Sequence, residues 1–466
     1  DFGGSNPSLA TKTQPSTAGF LLCPKVRLKF RTERNDMNSS MPVADENAAF
    51  AGWKKRVAVF LVGQTISTFG SFLVQYAIMW HLTLTTKSGL VLALAAVFGF
   101  LPQALVSIFA GVWADRVNRK IMIIFADSAI ALATFGLALF MLTGVDDLWL
   151  IFVVMAVRSV GAGVQSPAIS ALLPQIVPTE KLMRVNGINS SVQSSLMLLA
   201  PVAAAAVYAS MSLVGILFID VATAIVGLSL LATVAVPTLA RAASADKPSY
   251  FADLKEGMSY IFSHQLVRWV MAIFAIVFLL IVAPSNLSPL MLVRNFGTEI
   301  WKLTVLELSF GVGMALGGAL IAALANKLDR IGTIITTSIV FGVLAIVMGF
   351  TTNLILFFSL FFIIGLIVPA FSTSAMTLLQ ETVEPERQGR VFGFVGIVIA
   401  VAMPLGMAVL GPLADVVSVE ILLIVTGAAT IVIAALAVLL PAGKRARAAA
   451  HASTGKALPL EGSQAE

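Results

Sequence analysis

Charge is scarce in this chain. Asp, Glu, Lys and Arg make up 12% of its 466 residues, against roughly 25% in ordinary soluble domains. Apolar residues take 58%, and the mean hydropathy is +0.95. A soluble fold of this length has too little interior to hide so many apolar side chains, so lipid must solvate many of them. There is one cysteine, Cys23, which excludes an intramolecular disulfide. Three histidines beside that cysteine do not make a convincing metal centre. The phosphate-cradling pattern G-x-x-x-x-G-K-[ST] is missing, so no ATPase motor is expected within the chain. H-E-x-x-H and G-x-S-x-G are missing too. The expectation is a non-enzyme with no cofactor and no metal.

What the chain does have is long apolar runs. A spanning helix needs about 20 mostly apolar residues. Twelve stretches qualify, near 57–80, 89–111, 121–143, 148–172, 188–210, 213–236, 268–292, 303–325, 331–351, 353–376, 391–413 and 419–441. The links are short except between the sixth and seventh, which suggests six plus six. The expected organisation is a disordered tail (1–50), a six-helix bundle (51–236), a linker (237–266), a second six-helix bundle (267–441) and a tail (442–466). In the linker, Phe251, Leu254, Met258, Ile261 and Phe262 recur at helical intervals. They imply an amphipathic helix lying on the membrane face or packed on the protein itself.

Lys and Arg fall on alternate links: at 54–56, 116–120, 181–184, 241–268, 327–330, 387–390 and 444–447. The other set of links carries Lys87, Arg294 and Lys302. The positive-inside rule places the basic set, and both termini, in the cytoplasm of a multi-pass cell-membrane protein. The net charge of +6 is then topology and not a nucleic-acid footprint.

The two halves resemble each other. At a constant offset of 206, Leu172, Leu173, Val177, Glu180, Arg184, Val185 and Gly187 match Leu378, Leu379, Val383, Glu386, Arg390, Val391 and Gly393. Pro201 and Pro404, at nearly corresponding places in the spans that follow, mark helix kinks. Parallel six-helix repeats with a substrate site at their interface describe one large transporter class.

The link between the second and third spans reads "GVWADRVNRK" (111–120). Arg116, Arg119 and Lys120 satisfy the charge rule, but it leaves Asp115 unexplained. The segment resembles the G-x-x-x-D-R-x-x-R-[RK] signature of the major facilitator superfamily. The stretches "VRSVGAGVQSPAISALLPQIVP" (157–178), "LSFGVGMALGG" (308–318), "PERQGRVFG" (385–393) and "AMPLG" (402–406) resemble, more narrowly, its macrolide-efflux type of drug:proton antiporters. The resemblance covers about 53 to 441. It implies an all-α membrane protein, twelve transmembrane helices in two six-helix pseudo-repeats. It also implies that Gly111, Asp115, Arg116, Arg119 and Lys120 form a conformational latch against the start of the eleventh span at Arg390. The second-half counterpart, around Asp329 and Arg330, is degenerate and is not assigned that role.

Ionisable residues inside spans are costly and therefore candidates for function. Arg158 lies about 15 Å into the fourth span at 1.5 Å per residue, in a stretch that resembles the family's proton-transfer motif. Asp127, Asp220 and Glu307 are the other proton-coupling candidates. Asp127 is expected to meet Arg158, which leaves Asp220 and Glu307 as the better titrating groups; the alternative for each is a hydrogen-bonded structural carboxylate. Gln64, Gln75, Gln103, Gln193 and Asn286 are candidate polar cavity groups. Phe60, Phe72, Met271, Phe278 and Phe310 are candidate apolar ones, with lipid contact or packing as the alternative. The fifth span has Ala200, Ala203 and Ala204 around Pro201 where drug antiporters often carry glycine.

The expected function is secondary export of hydrophobic or amphipathic small molecules, macrolide-like drugs first, by proton antiport with alternating access. Its partners are that substrate, protons and the lipid bilayer, with no nucleic acid. The alternatives are a siderophore or metabolite exporter of the same superfamily, a facilitative importer, or a non-transporting receptor or scaffold on this fold.

Overall fold

The computed structural model describes residues 52–236, 250–324 and 328–440. The expected tails, and most of the linker before residue 250, lie outside these residues. Twelve of the described helices are long and apolar enough to cross a membrane. The first six are α1 (Trp53–Thr86), α2 (Gly89–Arg116), α3 (Arg119–Leu142), α4 (Leu148–Ile176), α5 (Leu182–Ser210) and α6 (Leu213–Thr233). A linker helix, α7 (Tyr250–Ser263), precedes the other six. These are α8 (Gln265–Phe296), α9 (Ile300–Leu324), α10 (Arg330–Gly349), α11 (Leu354–Thr382), α12 (Pro385–Val416) and α13 (Val419–Leu439).

Local chemistry sets the boundaries. Ser88, Asn118, Asp329, Asn353 and Ser418 are N-caps whose side chains accept from backbone N–H groups of the first turn. Between caps, backbone polar groups bond within each helix, as a lipid-exposed chain requires. Prolines interrupt the ladder inside α2, α4, α5, α8, α11 and α12, Pro201 and Pro404 among them.

The repeat seen in the sequence reappears in the packing. In the first half α1 packs on α6 and α5, α2 on α4, and α3 on α4 and α6. In the second half the equivalent pairs meet: α8 with α13 and α12, α9 with α11, and α10 with α11 and α13. The halves meet through α2 with α12 and through α5 with α9, a pair of contacts related by the same symmetry.

The linker helix packs on the protein. Gly257, Tyr260 and Ile261 are buried, and Gly257 lies against Phe394 and Arg390 of α12. Met258 and Phe262, expected on the same apolar face, are exposed instead. The side chains of Phe251 and Leu254 lie outside the described residues.

Candidate functional site

One end of the molecule carries Arg119, Lys120, Arg330, Arg387 and Arg390, and we call it the basic end. At the opposite end the halves are locked together. Asp415, at the end of α12, accepts from Gly89 N at 2.6 Å, Leu90 N at 2.9 Å and Ser88 Oγ at 2.7 Å. A carboxylate at the open N-terminus of α2 satisfies its unpaired N–H groups and its dipole. Arg294 of α8 completes the lock: it pairs with Asp415 at 2.8 Å and donates to Lys87 O and Ala414 O. Gly89 and Gly411 sit face to face, so close that a Cβ on Gly89 would lie 2.2 Å from Gly411 O. At the basic end the space a Cβ would take at Gly111, Gly187, Gly389 and Gly393 is empty.

Within the first bundle lies a cavity of about 450 Å³. Gln64, Ser67, Ser71 and Gln75 line it from α1, Gln103 from α2, Arg158, Ser159 and Gln165 from α4, and Asn189 and Gln193 from α5. The spacing along α1 is three to four residues, which keeps these groups on one helix face.

A buried ionic hub borders this cavity. Arg158, 7% exposed, bonds Asp220, 1% exposed. Its guanidinium also donates to Thr134 Oγ1 at 2.5 Å and to Ser71 O at 3.1 Å, tying α4 to α6, α3 and α1. Thr134 and Ser71 hydroxyls donate to the same Asp220 carboxylate.

The expected meeting of Asp127 with Arg158 does not occur. The residue of α3 level with Arg158 is Thr134, and Asp127 lies two turns, roughly 10 Å, nearer the basic end. Asp127 accepts from Gln165 Nε2 at 2.5 Å, and its second oxygen is buried without a partner. Gln165 stands seven residues after Arg158 on the same face of α4; that spacing was the available signal, and the reading of ionisable residues alone passed over it.

Glu307 is half-buried in α9, with no hydrogen-bond or ion-pair partner among the described residues. Tyr76 of α1 lies within its electrostatic reach. Asn286 turns back on its own helix, donating to Val282 O at 3.4 Å, and Phe310 packs on Phe361 with ring centroids 5.3 Å apart. Neither lines the cavity of the first bundle. Of the apolar candidates Phe72 lines it, whereas Phe60 is 1% exposed in the core, Met271 is buried in the second bundle and Phe278 stacks on Phe274 there.

Among the described residues, three of the latch candidates each meet a different neighbour. Asp115 and Arg116 close α2, and their side chains lie outside the described residues. Arg119 Nε donates to Ala114 O at 2.9 Å. Lys120 Nζ reaches Ala232 O and Val234 O at 2.7 and 2.8 Å, capping the C-terminus of α6. Arg390 pairs with Glu256 of the linker helix at 2.5 Å.

Comparison with known proteins fits this architecture. The family model described as Major Facilitator Superfamily matches residues 60–335 and 301–462. Macrolide efflux protein A of Streptococcus pyogenes is 30% identical over 388 residues, 83% of this chain and 96% of that protein. Macrolide efflux protein A of Enterococcus faecalis is 30% identical over 323 residues, 69% of this chain and 99% of that protein. Among solved structures, a bacterial homologue of the human lysosomal transporter Spinster, inward-facing and unoccupied, aligns with a TM-score of 0.61 at 16% identity. The match covers 86% of this chain and 97% of that one. With a family match across both halves and packing that repeats between them, the chain belongs to the major facilitator superfamily.

Proposed function

We propose that the protein is a secondary exporter that moves hydrophobic and amphipathic small molecules, macrolide-like compounds first, in exchange for protons. The observation that carries this reading is a ligand-sized cavity in a molecule locked at one end and with open space beside four glycines at the other. Ligand pockets of about 300–1,000 Å³ are usual, and the cavity falls in that range. The identity to macrolide efflux protein A, over nearly its whole length, supports the substrate class.

The charge rule puts the basic end and both termini in the cytoplasm. The cavity then faces the side from which an exporter loads. Export follows when Asp415 and Arg294 of the second half release residues 87–90 of the first half and the basic ends close, with the Gly111–Lys120 segment meeting the start of α12. We assign proton exchange to Glu307. Asp220 is balanced by Arg158 and hydroxyl donors, whereas Glu307 has no partner holding it ionised and stands where the two halves face each other.

The test is efflux of a labelled macrolide from cells lacking their own pumps, with and without a proton uncoupler. Uncoupler-sensitive efflux that is slowed in Asp115→Asn and lost in Glu307→Gln is the expected result. No efflux from the well-expressed protein removes macrolides and directs the search to siderophores or metabolites. Efflux indifferent to the uncoupler sinks proton antiport.

A further inference from the structure

The cavity wall has an unusual chemistry for a carrier of apolar compounds. Gln75, Gln103, Asn189 and Gln193 line it, and none of their side-chain amides has a hydrogen-bond partner among the described residues. Gln75 Nε2 is buried as well as unpartnered. Gln75 on α1 reaches toward the stretch of α2 that carries Gln103: a Cβ at Gly99, one turn before Gln103, would lie 3.9 Å from Gln75 Nε2. The one charged group in the wall, Arg158, is neutralised by Asp220.

Two physical points follow. An unpartnered buried amide is destabilising, so an apolar side chain of equal size would serve the fold better. A wall of free amides with a balanced charge offers a ligand's cation no counter-charge but offers neutral oxygen atoms many partners. Each amide both donates and accepts, so it suits hydroxyl, ether and ester oxygens alike.

We infer that this wall of the first bundle binds the neutral, oxygen-rich portion of the transported molecule, such as a sugar or polyol face, and not its charged group. The inference rests on the exporter reading above and names the part of the ligand that this site selects. Gln75 and Gln103 are the central specificity residues, and Asn189 and Gln193 extend the wall toward the basic end.

The test compares a labelled macrolide with its derivative that lacks the neutral sugar but keeps the amino sugar, so that charge is matched. Equilibrium binding to the purified protein is measured beside export from cells. Wild type is expected to bind the parent more tightly, by about three- to tenfold for each neutral hydrogen bond lost. Gln75→Met and Gln103→Met, close in volume, are expected to shrink that ratio toward one, chiefly through KM and not kcat. A wild-type ratio near one, or a ratio untouched in both folded variants, overturns the inference, as does binding of neither compound. Binding with the expected ratio but no export leaves the wall standing and overturns the exporter reading.

Discussion

The Arg158 guanidinium bonds the Asp220 carboxylate across 62 positions of sequence, in the interior of the first bundle. With both partners almost wholly buried, the pair and its hydroxyl donors hold four helices in register. Removing one partner leaves an uncompensated buried charge, which costs about 3–5 kcal/mol. Asp220→Asn and Arg158→Met are therefore each expected to lower the thermal midpoint of the purified protein strongly. The double change Arg158→Met with Asp220→Leu is expected to recover most of the loss. Single variants that melt like wild type would show that the pair does not hold the bundle.

Glu307 separates binding from coupling. In inverted vesicles with an acidic lumen, the wild-type protein is expected to accumulate labelled drug as protons leave. Glu307→Gln, neutral at every pH, is expected to bind drug yet to show no accumulation driven by the gradient. Accumulation at the wild-type level in Glu307→Gln moves proton exchange to another carboxylate, with Asp127 and its unpartnered oxygen next in line.

The contact of Gly89 with Gly411 makes the sealed end sensitive to one methyl group. Gly89→Val places atoms where Gly411 O already stands, so the seal is expected to stay parted. Ala93, 2% exposed beside that contact, reports on it. In a Cys23→Ser background, Ala93→Cys is expected to resist a membrane-impermeant thiol reagent and to react once Gly89→Val is added. Equal labelling with and without Gly89→Val would refute the seal.

Lys120 and Asp115 share one motif but are expected to fail differently. Lys120 caps the last carbonyls of α6 from a partly exposed position, so Lys120→Met should cost about 1 kcal/mol of stability. Asp115→Asn is expected to slow efflux with little change in the melting midpoint. A paired measurement of efflux and melting on both variants checks this, and a shared phenotype would return Lys120 to the latch.

How far the sequence could be read depends on the range of the interaction. The twelve spans were legible because each is a local statement, some twenty apolar residues between polar links. The duplication was legible because charged and glycine matches recur at one offset. Gln64, Gln75, Gln103 and Gln193 could be picked as polar groups inside apolar helices, and all four line the cavity. Asn286 satisfied the same criterion and turned back on its own backbone, because polarity along a chain does not say which neighbour a side chain meets.

Composition and the order of apolar runs fixed the solvent and the number of spans, and the motif at 111–120 carried the resemblance to the family. The solvent and the spans follow from transfer of side chains into lipid and from backbone hydrogen bonds closed within each helix. The choice of partners came from the packed bundle. Arg158 takes Asp220 and not Asp127 because neighbouring helices run antiparallel at particular depths. Asp415 caps α2 because two halves remote in sequence meet at one end. Lys120 serves α6 for the same kind of reason. Depth, rotation and the meeting of the halves are properties of helices packed together, and no single helix carries them in its own residues.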